Sequence, residues 1–97
     1  MPSYRVTLAM GAVRAGIDPS AILPGAASAA RELTTVESSD IAVVAGQARI
    51  IVRYMAEDAD VALQLGEHVA RSVQQFATVA AYTVTERVGS RWQGVSR

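Results

Sequence analysis

The sequence predicts an α+β fold, with two helices packed on one face of an antiparallel sheet. Three patterns carry that expectation. Residues 4–10 (YRVTLAM) and 81–88 (AYTVTERV) alternate apolar with polar or small side chains, the period of two of a half-buried strand. Residues 41–54 (IAVVAGQARIIVRY) set two apolar runs around AGQ, as a hairpin does. Between these lie two stretches, 23–33 and 61–76, whose apolar residues recur at helical spacing.

The first strand puts Tyr4, Val6, Leu8 and Met10 on one side and Arg5, Thr7 and Ala9 on the other. Residues 11–18 (GAVRAGID) read as a loop. Asp18 or Ser20 then caps a helix, with Pro19 preset for its first turn. Pro24 is incompatible with a helix interior, so the helix proper starts near Leu23 and 19–22 form a separate turn. Its stripe of Leu23, Ala26, Ala27, Ala30 and Leu33 is mostly alanine, which predicts close approach to its neighbour.

In the hairpin, Gly46-Gln47 suits a two-residue turn with glycine first. That register pairs Ile41 with Val52 and Val43 with Ile50 on one face, and Val44 with Arg49 and Asp40 with Arg53 on the other. An Ala45-Gly46 turn keeps the same faces and is the alternative. The second helix, within 57–76, is capped by Asp58, and Glu57, Asp58 and Asp60 complement its dipole. Val61, Leu65, Val69, Val73 and Phe76 form its stripe; Gly66 interrupts it at a cost of about 1 kcal/mol relative to alanine. A last strand, 80–88, puts Tyr82 and Val84 on one side and Ala81, Thr83, Thr85 and Arg87 on the other. Residues 89–97 read as a short polar tail carrying Trp92 and Val95.

The order is βαββαβ, which predicts a ferredoxin-like two-layer sandwich over residues 1–97 as one domain, with sheet order 4-1-3-2 and both helices on one face. Such an architecture hosts many unrelated functions, so function has to be read from a site.

Composition narrows the choices. The 97 residues are 51% apolar and 19% charged, a globular composition for one domain. The formal net charge of +0 supplies no field for capturing nucleic acid or anionic membrane. There is no cysteine and no lysine, which removes thiol, Cys-zinc and Schiff-base chemistry. All nine cationic residues are arginine, as a GC-rich genome encodes. No apolar run reaches the ~18–20 residues of a membrane span, and the N-terminus lacks a secretory pattern. A cytoplasmic chain beginning at Met1, with no membrane partner, is expected.

The sheet face away from the helices is the first candidate site. It carries Arg5, Arg49, Arg53 and Arg87, three threonines, and Ala9, Ala42, Val44, Ile51 and Ala81. Three readings compete. The face is simply solvated; or it is a homodimer interface, with Ala42, Val44 and Ile51 at its dry centre and arginines at its rim; or it binds an anion or nucleic acid. The third lacks the aromatics on which bases stack. The homodimer leads, with Trp92 inserted into the partner. A second candidate is a pocket between helices and sheet lined by Tyr4, Tyr54, His68 and Tyr82, as in a dimeric α+β barrel enzyme.

His68 is the single histidine and lies at the edge of an apolar stripe, so a packed helix residue explains it before an acid–base role does. One histidine without cysteine makes no transition-metal site. GAVRAG lacks the lysine of a phosphate-binding loop, though Arg14 within it is a weak anion candidate; no GxGxxG or GxSxG is present. No cofactor and no metal is expected. The chain reads as a non-enzymatic α+β homodimer through its helix-free face, with any small ligand or protein partner unidentified.

Overall fold

The computed structural model describes residues 1–96. Its elements are β1 (Ser3–Val13), a 3-10 turn (Pro19–Ala21), α1 (Ile22–Arg31), β2 (Val36–Val44), β3 (Gln47–Met55), α2 (Ala59–Val73), β4 (Ala77–Val88) and β5 (Arg91–Gly94). The chain is α+β, with an antiparallel five-stranded sheet of order β2-β3-β1-β4-β5. Read from the other edge this is 5-4-1-3-2, so a sheet of five strands stands where 4-1-3-2 was expected. Among the described residues no helix is long and apolar enough to cross a membrane.

The fifth strand lies in the segment expected to be a polar tail. Gly89, with φ 61°, opens a two-residue turn that pairs Val88 with Arg91 and Arg87 with Trp92. Position 97 lies outside the described residues. β1 also runs three residues further than expected, because β4 starts at Ala77 and supplies Val13 with a ladder partner.

The β2–β3 turn is Ala45-Gly46, with φ of 53° and 78°, and not Gly46-Gln47. Both turn residues are left-handed, the geometry whose twist matches that of the strands it joins. The pairing favoured from sequence is therefore replaced by its alternative. Ile41 opposes Ile50, and Asp40 opposes Ile51 instead of Arg53. The faces are unchanged, because both turns preserve side-chain parity.

Asp18 accepts from the Ser20 N–H and closes the 3-10 turn. α1 then begins at Ile22, which places Pro24 in the first turn, where a missing N–H costs nothing. Asp58 caps α2 by accepting from Val61 N at 2.9 Å. The core lies between helices and sheet: Tyr4, Val6, Leu8, Ile50, Val52, Tyr54 and Val84 below; Ala26, Ala30, Ala62, Leu65, Val69 and Val73 above. Gly66 sets how close α2 comes. A Cβ there would lie 2.5 Å from Val84 Cγ2, so α2 settles on the sheet through a bare backbone. The Tyr54 hydroxyl donates to the Ala62 carbonyl at 2.7 Å and ties sheet to helix.

The helices cover less than the parity argument expects. Ile41, Val43 and Tyr82 are on the helix side of the sheet, yet they are 59%, 71% and 41% exposed. They lie toward the β2–β3 turn and along the β4 flank, beyond the reach of two short helices. Leu33, expected in the α1 stripe, falls past the helix end and is exposed.

Candidate functional site

The strand registers fix the helix-free face as three rows. Ser38, Arg53, Arg5 and Thr85 run across β2, β3, β1 and β4; the next row is Asp40, Ile51, Thr7 and Thr83; the third is Ala42, Arg49, Ala9 and Ala81. Arg87 and Trp92 extend the first end of the face through β4 and β5.

The first row sets Arg5 directly opposite Arg53, two like charges that repel across a ladder. Trp92 resolves the conflict. β5 lays its indole over the face, with the Arg5 guanidinium carbon 4.3 Å and the Arg53 carbon 5.3 Å from the ring centroid. Cation–π contacts of this kind are worth about 0.5–1 kcal/mol each when exposed. Glu37, at the irregularity in β2, adds a carboxylate 3.4 Å from Arg53 Nε and also accepts from Ser3 Oγ at 2.6 Å. The Asp40–Arg53 pair expected from sequence is thus replaced by Glu37–Arg53. Arg87 donates from Nε to the Gly89 carbonyl at 3.1 Å.

The third row is different. Arg49 sits between Ala42 and Ala9, and its Nε is buried without a hydrogen-bond partner among the described residues. It borders a shallow depression of about 200 Å³ whose walls include Thr7, Ala9, Ala81 and Thr83. Ile51, in the middle row, is half-buried. The face therefore has a charged end, where Trp92 and Glu37 lie against Arg5 and Arg53 although Arg53 Nε too lacks a hydrogen-bond partner among the described residues, and a low, small-residue end bordered by Arg49.

Of the four side chains proposed for an internal pocket, Tyr4 and Tyr54 are brought together, and this happens inside the core. Tyr4 and Tyr54 are closed into the core, 1% and 0% exposed, with rings stacked at 6.4 Å. The Tyr4 hydroxyl donates to Glu86 Oε1 at 3.0 Å. Burial first, then the Glu86 hydrogen bond and charge, push the Tyr4 phenol up to about 12; burial raises that of Tyr54 as well. His68 faces α1, with Nε2 3.5 Å from Glu32 Oε2. Of the four, Tyr82 lines an open groove of about 480 Å³ between α2 and the β4–β5 flank, with Leu63, Val84 and Val95. Arg14, the weak anion candidate, donates instead to the Gln74 carbonyl at the end of α2. Among the described residues no group of three or more His, Cys, Asp or Glu could hold a metal.

Sequence reasoning left Trp92 in a tail and so took this face to be free of aromatics. The signal it passed over is Gly89-Ser90, a two-residue hairpin pair. Trp92 packs on its own chain, and its ring is already engaged with two arginines.

No family model matches the chain, and no curated protein matches it. Among solved structures, Rv0793 from Mycobacterium tuberculosis is similar at a TM-score of 0.51 and 19% identity, over 93% of this chain and 98% of that one. Likeness at this identity establishes a shared fold.

Proposed function

We propose that the chain is a non-enzymatic α+β domain that works as a homodimer through its helix-free sheet face. The four long strands, in order 4-1-3-2 with β5 outside, support reading it as a ferredoxin-like sandwich with one added strand. The observation that carries the dimer is the make-up of that face. Its low end offers Ala9, Ala42, Ala81 and Ile51 for close contact, while at the other end Trp92 lies against Arg5 and Arg53, Glu37 pairs with Arg53, and Arg87 donates to the Gly89 carbonyl. A small domain gains much from further apolar burial, and a two-fold interface needs one self-complementary patch. Ile51→Glu places a carboxylate at the centre of this contact. It is expected to convert a dimer into monomers in sedimentation while leaving the far-ultraviolet circular dichroism intact; a variant as dimeric as the parent removes the face from the interface.

The groove beside Tyr82 supports a second reading, a small-molecule pocket of the dimeric α+β barrel kind. Its volume of about 480 Å³ and apolar lining of Leu63, Val84 and Val95 suit a compact apolar ligand. Leu63→Trp fills it. Loss of binding of an apolar fluorescent dye supports the pocket, and unchanged dye binding removes it.

A further inference from the structure

The charged end of the helix-free face is rich in donors and poor in acceptors. Arg5 and Arg53 stand directly opposite each other on β1 and β3, and Arg87 on β4 is the diagonal neighbour of Arg5. Arg5, Arg53 and Trp92 are half-buried, so the two guanidiniums are screened less than charges on an open surface. Glu37 supplies the one carboxylate paired here; its Oε1 lies 3.4 Å from Arg53 Nε and is shared with Ser3 Oγ. Even so, Arg53 Nε is buried without a hydrogen-bond partner, and neither Arg5 nor Arg87 has an ion pair among the described residues. Asp40, one row on, is exposed and takes part in no ion pair either. Glu86, next to Arg87 in sequence, lies on the other face, where it accepts from the Tyr4 hydroxyl. Trp92 eases the repulsion between Arg5 and Arg53, but its ring offers no oxygen and its indole N–H is a further donor.

We propose that this end is a binding site for a small phosphomonoester, with Arg5, Arg53 and Arg87 on the phosphate and Trp92 beside it. Three guanidiniums against the Glu37 carboxylate leave two positive charges unbalanced in a chain whose formal net charge is +0. A phosphomonoester carries about −1.5 to −2 at pH 7, which matches that excess; a monocarboxylate does not. Guanidinium forks also fit phosphate oxygens two at a time. The strand ladder holds Arg5 and Arg53 together against their repulsion, so the site is formed before the ligand arrives, and an arriving dianion turns repulsion into shared attraction. A polyanion fits less well, because a nucleic-acid strand needs a basic track with several stacking rings and this face has one. The site uses none of Ile51, Ala9, Ala42 or Ala81, so it stands apart from the dimer reading.

Trp92 is the single tryptophan, so its fluorescence reports from the site itself. Titrating the full chain with inorganic phosphate or ribose 5-phosphate at fixed ionic strength is expected to change the emission saturably, and chloride is expected not to. Arg5→Gln and Arg53→Gln, checked for folding by circular dichroism, are each expected to weaken binding about tenfold or more. Arg71→Gln, far away on α2, is expected to bind as the parent does. As a second readout, phosphate is expected to raise the thermal midpoint of the parent and not that of the Arg5→Gln/Arg53→Gln double variant. An equal rise in both is the general effect of phosphate on hydrated surface and overturns the site. An emission change that chloride reproduces, glutamine variants that bind like the parent, or no response in either readout overturns it as well. Acetate binding as tightly as phosphate overturns the assignment to a phosphomonoester.

Discussion

At Gly66 two residue-scale effects oppose each other. Helix propensity favours alanine by about 1 kcal/mol. Against it, the new Cβ would meet Val84 Cγ2 at 2.5 Å, and Val84 is a branched core residue, 3% exposed, with little freedom to move. Overpacking a core costs about 1–3 kcal/mol, so packing wins. Gly66→Ala is expected to lower unfolding stability in urea, and a stabilised variant would contradict the close approach of α2. The core tyrosines set the alkaline limit. Their phenols are raised above the ordinary value of 10.0, Tyr4 to about 12, so the unfolded chain releases these protons first as pH rises. Their contribution to stability is whole below about pH 10 and is lost as pH climbs through the folded values. The thermal midpoint should fall steeply above about pH 10, and Tyr4→Phe should flatten part of that fall. Asp18, lowered by the backbone and side-chain hydrogen bonds of Ser20, acts at the other end. Its contribution is present above the ordinary aspartate value and fades as pH drops through the lowered one.

At the scale of elements, the β2–β3 turn holds a non-glycine residue, Ala45, at φ 53°. Left-handed backbone costs an alanine roughly 1 kcal/mol, and asparagine or glycine less. Ala45→Asn is expected to stabilise the chain by up to about 1 kcal/mol in thermal or urea unfolding, and a loss of stability would contradict the turn. This turn also marks where the sequence stopped being decisive. Parity along β1, β3 and β4 is written in alternating side chains, so the two faces and the outward arginines are legible without coordinates. Register is not, because shifting the turn from Gly46-Gln47 to Ala45-Gly46 moves pairs without moving faces. Asp40 therefore exchanged Arg53 for Ile51, and Glu37 took its place. The lateral extent of the sheet was hidden for another reason. β5 is four residues long with no alternating apolar pattern, and only its turn announces it. Missing it also hid the largest aromatic on the candidate face. Trp92→Ala, which strips the ring from Arg5 and Arg53, should leave their facing charges unshielded and lower stability by about 1–2 kcal/mol, more at low salt than at high. A salt-independent or neutral effect would contradict a Trp92 role in that row.

For the whole molecule, the division of labour is between two faces of one sheet. The helix side holds the apolar core and keeps Tyr4 and Tyr54 inside. The far side carries a cluster of arginine, tryptophan and glutamate at one end, and small residues, Ile51 and Arg49 at the other. That asymmetry is what a second copy would use, and no comparison with known proteins supplies a function in its place. Sedimentation equilibrium of the full chain at tens of micromolar, with Ile51→Glu run beside it, tests this most directly. The account predicts twice the 10.2 kDa of a single chain for the parent and one chain for the variant, both equally folded by circular dichroism. A parent that sediments at the mass of one chain, or an Ile51→Glu variant that remains paired, would contradict it.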